Sequence, residues 1–201
     1  MTTIWIAIFL AVFLWSGIGP QDYFTWAMEV APAAAAFVLL IATRKRFPLT
    51  NLSYVLILIH SVILMIGGHY TYAEVPLFDW IRDALQQSRN NYDKVGHFAQ
   101  GFVPAVIARE ILIRKNVVRK GRWLGFVVVS ICLAVSAFYE LVEWWTAELT
   151  GSAAEAFLGT QGYQWDTQSD MALALLGAAL SLALLSRVHD RQLGAVTIPR
   201  E

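Results

Sequence analysis

The chain has 201 residues, 57% of them hydrophobic and 15% charged; soluble domains carry about 45–50% apolar residues, so the composition argues for one compact membrane domain. Lys+Arg and Asp+Glu balance at 15 each, and the basic residues stand in short clusters beside apolar runs without a continuous basic face, which excludes a nucleic-acid surface. The single cysteine, Cys132, can form no internal disulfide and lies in an apolar run, where it reads as a small core residue.

Six segments read as membrane helices: 4–18, 26–42, 52–67, 95–113, 123–145 and 171–185. A spanning helix needs about 17–25 residues. The fourth and fifth fit outright; the others fit once interfacial polar residues are added. The first has no basic leader and no small-residue cleavage site, so it reads as a retained helix rather than a signal peptide. The second is the weakest, with Glu29, Pro32 and a run of alanines.

The connection 69–91 is the longest. Within it, 75–87 has Pro76, Trp80 and apolar residues at helical spacing, which predicts a short amphipathic helix on the membrane surface. The connection 146–165 combines Gly151, Gly159 and Gly162 with Phe157, Tyr163 and Trp165. Glycine permits tight turns there, and the aromatic content predicts a loop folded back over the helix ends.

Charge sets the expected orientation. Arg44-Lys45-Arg46 follows the second segment, Arg114-Lys115 and Arg119-Lys120-Gly121-Arg122 follow the fourth, and Arg187 and Arg191 follow the sixth. The alternate connections are acidic or mixed. The positive-inside rule then places both termini in the cytoplasm and 69–91 and 146–165 outside. The expected fold is an all-α polytopic bundle of six spanning helices, a single integral domain over 1–201.

Asp93, His97, Glu140, Glu143, Asp166 and Asp170 stand in or beside these apolar runs. A charged side chain costs roughly 2.5–3.5 kcal/mol at the centre of a membrane helix on insertion scales. In the expected topology all six gather near the outer face. Asp93 and His97 share a helix face at i, i+4, Glu140 and Glu143 do so at i, i+3, and Asp166 and Asp170 repeat the first spacing. His69, Tyr70 and Tyr72 close the third segment at the same level. Carboxylates and imidazoles ligate divalent cations, and a desolvated carboxyl or imidazole moves protons. The expected ligands of a divalent metal ion are Asp93, His97, Glu140, Glu143 and Asp170. The catalytic candidates are His97, Glu140 and Asp170, and the candidate substrate contacts are Lys94, Tyr72, Trp144 and Gln161.

Plainer roles compete for these residues. Asp93 and Asp166 are good N-caps. Glu140 and Glu143 have Lys94 or an arginine as candidate partners. His69 and Tyr72 suit interfacial anchoring, and Trp144, Trp145, Trp80 and Trp165 suit an aromatic belt. His60, Arg109 and Glu110 lie toward the other half of their helices and are expected to pair locally. His189 falls in the tail and carries no signal.

Four strings carry a family resemblance: His69-Tyr70-Thr71-Tyr72; Tyr92-Asp93-Lys94-Val95-Gly96-His97-Phe98; Ser136 to Trp145; and Gly159 to Gln168. They resemble the bacterial YjdF inner-membrane family over most of the chain. The resemblance implies a multi-pass inner-membrane protein and no particular activity. A more distant likeness to VanZ-like membrane proteins lies in Asp93-Lys94-x-x-His97, Glu140, Asp170 and Gly177. This chain departs from that pattern with Glu143 in place of Gln and Ala174 in place of Asn, which leaves its site more acidic.

Three functions stay open. The first is an enzyme or binder, assisted by a metal ion, acting on a lipid or a lipid-linked cell-envelope precursor at the outer leaflet. The second is a structural protein whose polar cluster locks helices together. The third is an ion-coupled transporter, weakened because the acids gather at one face and no inverted repeat is visible. Membrane lipids are expected partners in all three.

Overall fold

The computed structural model describes residues 2–151, 155–158 and 160–195, and every regular element among them is a helix. In chain order these are α1 (Thr3–Ser16), α2 (Tyr23–Thr43), α3 (Asn51–His69), α4 (Pro76–Ala84), α5 (Tyr92–Arg114), α6 (Arg122–Thr150), α7 (Glu155–Leu158) and α8 (Asp166–Leu193). Four of them, α2, α3, α6 and α8, are long and apolar enough to cross a membrane. The other two predicted spans differ from these for separate reasons. The 14 residues of α1 reach only about 21 Å at 1.5 Å per residue, against a hydrocarbon core of about 30 Å. The 23-residue α5 is long enough but polar, carrying Asp93, Lys94, Arg109, Glu110 and Arg114. It tolerates those charges because it packs against α3, α6 and α8 and is the hub of the bundle.

Most helices outrun the apolar segments that mark them. Hydropathy marks only apolar turns, whereas the helices continue through polar ones. The Asp22 carboxylate accepts from Thr25 N–H at 2.6 Å and starts α2 three residues before the apolar run. The Thr50 hydroxyl does the same for α3 through Ser53 N–H. The capping roles expected for Asp93 and Asp166 are not found. The N-cap positions belong to Asn91 and Trp165, neither of which makes a side-chain cap bond. Asp166 is the first residue of its helix and Asp93 the second, so both lie inside the first turn and are free to reach across to other helices.

The tightest packing joins α5 to α8. A Cβ on Gly101 would overlap the Ala174 carbonyl, and one on Gly177 would overlap the Phe98 carbonyl. Ala105, Ala174 and Ala178 are fully buried along the same seam. Small residues allow such backbone approach between membrane helices, where packing rather than water exclusion drives association. A larger core joins α1, α2, α3 and α5 through Trp5, Phe9, Val30, Ile57, Met65, Val103 and Val106. Cys132 is fully buried in the smaller core between α5, α6 and α8.

The expected short helix in 75–87 is α4. Leu77 and Trp80 on it and Leu85 at its C-cap are exposed, while Asn90 Nδ2 ties it to the bundle by donating to Val75 O and Asp79 Oδ1, both at 3.0 Å.

The end of the bundle away from α4 holds a second polar cluster. Glu110 accepts from Thr50 N–H, Thr50 Oγ1, Ser53 Oγ and Arg114 Nη1 at 2.7–2.9 Å and lies 3.3 Å from His189 Nε2. Arg109 reaches His189 Nδ1 and Asp190. Glu110 pairs locally with Arg114 four residues on, as expected, and Arg109 and Glu110 also pair across helices. The reading of His189 as a tail residue is corrected: α8 runs on to Leu193, and His189 is fully buried within it.

Candidate functional site

The polar cluster at the α4 end of the bundle divides into two halves with opposite electrostatics. In the first half every acid has a cation. Lys94 Nζ donates to Asp166 Oδ1 at 2.8 Å and to Asp170 Oδ1 and Ser169 Oγ at 2.7 Å. Arg89 Nη1 donates to Asp166 Oδ1 at 2.6 Å, and its Nη2 lies 3.5 Å from Asp93 Oδ2. The Tyr163 ring covers both cations, about 5.5 Å from each. These contacts staple the start of α5 to the start of α8.

In the second half the acids lack cations. Glu29, Glu140 and Glu143 have no lysine or arginine within ion-pairing distance among the described residues. Lys94, a candidate partner for Glu140 and Glu143, is committed to α8 instead. Glu140 Oε1 is buried with no hydrogen-bond donor. Several kcal/mol is the usual penalty for such an uncompensated charge.

His97 stands between the halves. Its Nε2 lies 3.1 Å from Asp93 Oδ1 and 3.9 Å from Asp170 Oδ2. Its Nδ1 lies 3.1 Å from Gln100 Oε1 and 3.7 Å from Glu140 Oε1. One ligand atom from each of Asp93, His97 and Asp170 falls within 4.8 Å of the others, and the same holds for His97, Glu140 and Glu143. Three helices therefore deliver the five expected ligand residues to one place.

A cavity of about 230 Å³ opens beside the second half. Glu29, Tyr72, Asp93, His97, Tyr139 and Glu143 give it a polar end; Gln100 and His60 lie deeper, and Pro32, Leu64, Pro104 and Val135 supply apolar wall. From Asp93 to Pro104 it follows α5 for about 16 Å, which is half the depth of a bilayer core. Tyr72 is set into its wall by an unusual backbone. Thr71 and Tyr72 both have positive φ, at 52° and 56°, a conformation that costs of order 1–3 kcal/mol for a residue with a Cβ. The ring slots between Gly67 and Gly96, where any Cβ would collide with it.

Three candidate contacts stand apart from this wall, Lys94 among them because it is held on α8. Trp144 is 55% exposed on α6. Gln161 bridges the Asn90 backbone, accepting from its N–H at 3.0 Å and donating to its carbonyl at 2.8 Å, and so pins the loop before α8 to the start of α5. His69 lies outside the cavity too, with Nδ1 3.0 Å from Ser16 O and its ring 4.6 Å from Trp15.

Four lining residues were missed as site residues: Glu29, His60, Gln100 and Tyr139. Glu29 carried the same signal as the other acids, a charge inside an apolar run. Tyr139 is four residues before Glu143 and Gln100 three after His97, so each shares a face with a residue that was found. His60 was expected to pair locally, yet its Nε2 is buried without a partner.

Residues 1–191 match the family described as "Predicted membrane protein (DUF2238)". The chain is also 53% identical over 182 residues to the inner membrane protein YjdF of Escherichia coli (strain K12), covering 90% of this chain and 87% of that protein. The chain belongs to this YjdF family. It is a multi-pass helical protein of the bacterial inner membrane. The VanZ-like likeness gains no support from these matches. No solved structure matches the chain significantly.

Proposed function

We propose that the cavity is a binding or catalytic site in which a divalent cation, held by His97, Glu140 and Glu143, engages the head of a lipid or lipid-linked envelope precursor. The observation that carries this reading is the unneutralised half of the cluster: Glu140 Oε1 is buried, has no donor, and faces His97 Nδ1 at 3.7 Å. Two ligand atoms each about 2.1 Å from a tetrahedral cation stand ~3.4 Å apart, so the gap is close to the right size. The other side of the ring supports the same choice. Asp93 sits 3.1 Å from Nε2, and a carboxylate there holds the Nε2–H tautomer, leaving the Nδ1 lone pair for a metal. Asp93 and Asp170, which have Arg89 and Lys94, then serve as outer partners rather than primary ligands.

Such a cation would polarise a phosphoryl or carbonyl oxygen or activate water. The Tyr139 hydroxyl and Glu29 carboxyl, hydrogen-bonded at 3.0 Å on the cavity wall, form a pair suited to proton transfer. The cluster as a structural lock is favoured for the Arg89–Lys94 half alone, whose ionic contacts are made. Transport is disfavoured by the apolar layer of Ile57, Val103 and Val106, which along α3 and α5 separates His60 and Gln100 from Glu110.

The competing occupant of the space is a proton. An imidazolium at His97 would donate to both Asp93 and Gln100 with no metal present. Metal analysis of purified protein, with a thermal scan with and without chelator, separates the two. The expected result is bound metal, a melting point lowered by chelator, and Glu140→Gln protein that expresses well but loses the metal. A metal-free protein, indifferent to chelator and stabilised by Glu140→Gln, overturns the proposal.

A further inference from the structure

We infer that the cavity is loaded sideways from the bilayer, through a portal between α2 and α6, by a phosphate-headed amphiphile whose chain stays outside in the lipid. The inference rests on the cavity being the site proposed above, and adds the class of its ligand and the route it takes.

Three observations place the portal. First, α2 and α6 flank the cavity, with Glu29 and Pro32 on one side and Val135, Tyr139 and Glu143 on the other, yet they share no extended packing interface. Each instead packs on other elements, α2 on α3 and α6 on α5 and α8. Second, the rim reaches the outside at mid-helix. Val135 lines the cavity and is 45% exposed, Pro32 is exposed as well, and Phe138 beside them is 59% exposed. These positions lie near the middle of helices that span, so the opening faces hydrocarbon. Third, the way out along the membrane normal is roofed. Phe157 of α7 is buried between Phe24 of α2 and Tyr139 of α6, at ring-centroid distances of 6.5 and 6.4 Å. Below that roof, the contact joining the two helices is the Tyr139–Glu29 hydrogen bond.

Size and charge choose the occupant. Pockets that engulf a drug-sized ligand are about 300–1,000 Å³; at about 230 Å³ this one takes a head group and leaves a chain outside. The head must answer the Glu29 and Glu143 carboxylates that line the cavity. With a divalent cation at His97 and the glutamates, an anionic phosphate completes the charge balance.

The test uses full-length protein in phosphatidylcholine nanodiscs and two photoprobes: a dodecyl phosphate with a diazirine near its head, and the matching dodecyl alcohol. Labelled peptides are mapped by mass spectrometry. The phosphate probe should label α2 around Pro32 and α6 around Val135 in preference to α1 and α8, whereas the alcohol should label all lipid-facing helices evenly. Val135→Trp should plug the portal and cut the preferential labelling about tenfold. Val135→Leu, a milder change at the same exposed position, should cut it less and stands in if the tryptophan variant fails to fold. Identical maps for the two probes, or labelling unchanged by both variants, overturn the portal. Metal content read on the same samples keeps the two proposals apart: preferential labelling without bound metal sinks the cation and spares the portal, and bound metal with even labelling does the reverse.

Discussion

Tyr139 donates its phenolic hydrogen to Glu29 at 3.0 Å, joining two helices from residues 110 apart in sequence. It is the one described hydrogen bond to that carboxylate, so the pair is expected to behave as a unit. Removing the donor leaves a buried acceptor unsatisfied, which costs about 1–3 kcal/mol.

Tyr139→Phe should therefore lower the melting temperature in detergent, and Glu29→Gln combined with it should not add a second full loss. A thermal double-mutant cycle should give a coupling of about 0.5–3 kcal/mol. Strictly additive losses would show that the two side chains do not communicate.

Lys94 is the centre of the paired half. Lys94→Met strips buried Asp166 and Asp170 of a half-buried cation, and although Asp166 keeps Arg89, breaking the Asp170 pair from one side should cost up to about 3–5 kcal/mol. Glu143→Gln, in the unpaired half, should be neutral or stabilising in chelated protein because it removes an uncompensated charge. Equal losses for the two variants under chelation would erase the distinction between the halves.

The division into halves was beyond the reach of the sequence. Spacing along each helix exposed Asp93 with His97, Glu140 with Glu143 and Asp166 with Asp170, because i, i+3 and i, i+4 relations are local geometry. Which acid meets which base depends on how α5, α6 and α8 are rotated against one another. Lys94 could face either neighbour, and only the close Gly101–Gly177 seam turns it to α8. Glu29 and Tyr139 were marked by their positions along their own helices, but their pairing across the α2–α6 gap depends on the same rotations. His189 escaped because hydropathy ends α8 too soon.

The α5–α8 seam makes its own prediction. Gly101→Ala and Gly177→Ala each force a methyl group into a facing backbone carbonyl, where the backbone has no rotamer to yield. Overpacking of this kind costs typically about 1–3 kcal/mol, and sometimes more. Gly125→Ala is the control: its nearest neighbour is Leu182 Cδ1 at 4.0 Å, so the gain of up to ~1 kcal/mol in helix propensity should dominate. Melting curves should rank Gly125→Ala at or above the parent and the other two well below it. A harmless Gly101→Ala would mean the helices cross farther apart.

Topology can be checked independently of stability. Reporter fusions at Gly121 and Gly151, at opposite ends of α6, should read cytoplasmic and extracytoplasmic respectively, following the arginine and lysine bias of their flanks. A periplasmic signal from Gly121 would put the acid cluster on the cytoplasmic side and remove outer-leaflet lipids from consideration.

The Tyr72 ring is held where two side chains are missing. Gly67 and Gly96 act as the two jaws of a mould, and the cavity wall is cast from the empty space between them. Positions 67, 72 and 96 are consequently a single inheritable unit. In related proteins a methyl group at either jaw should be accompanied by a smaller residue at 72 and a wider, differently shaped cavity. The breadth of ligands accepted across the family would then be written partly in its glycines.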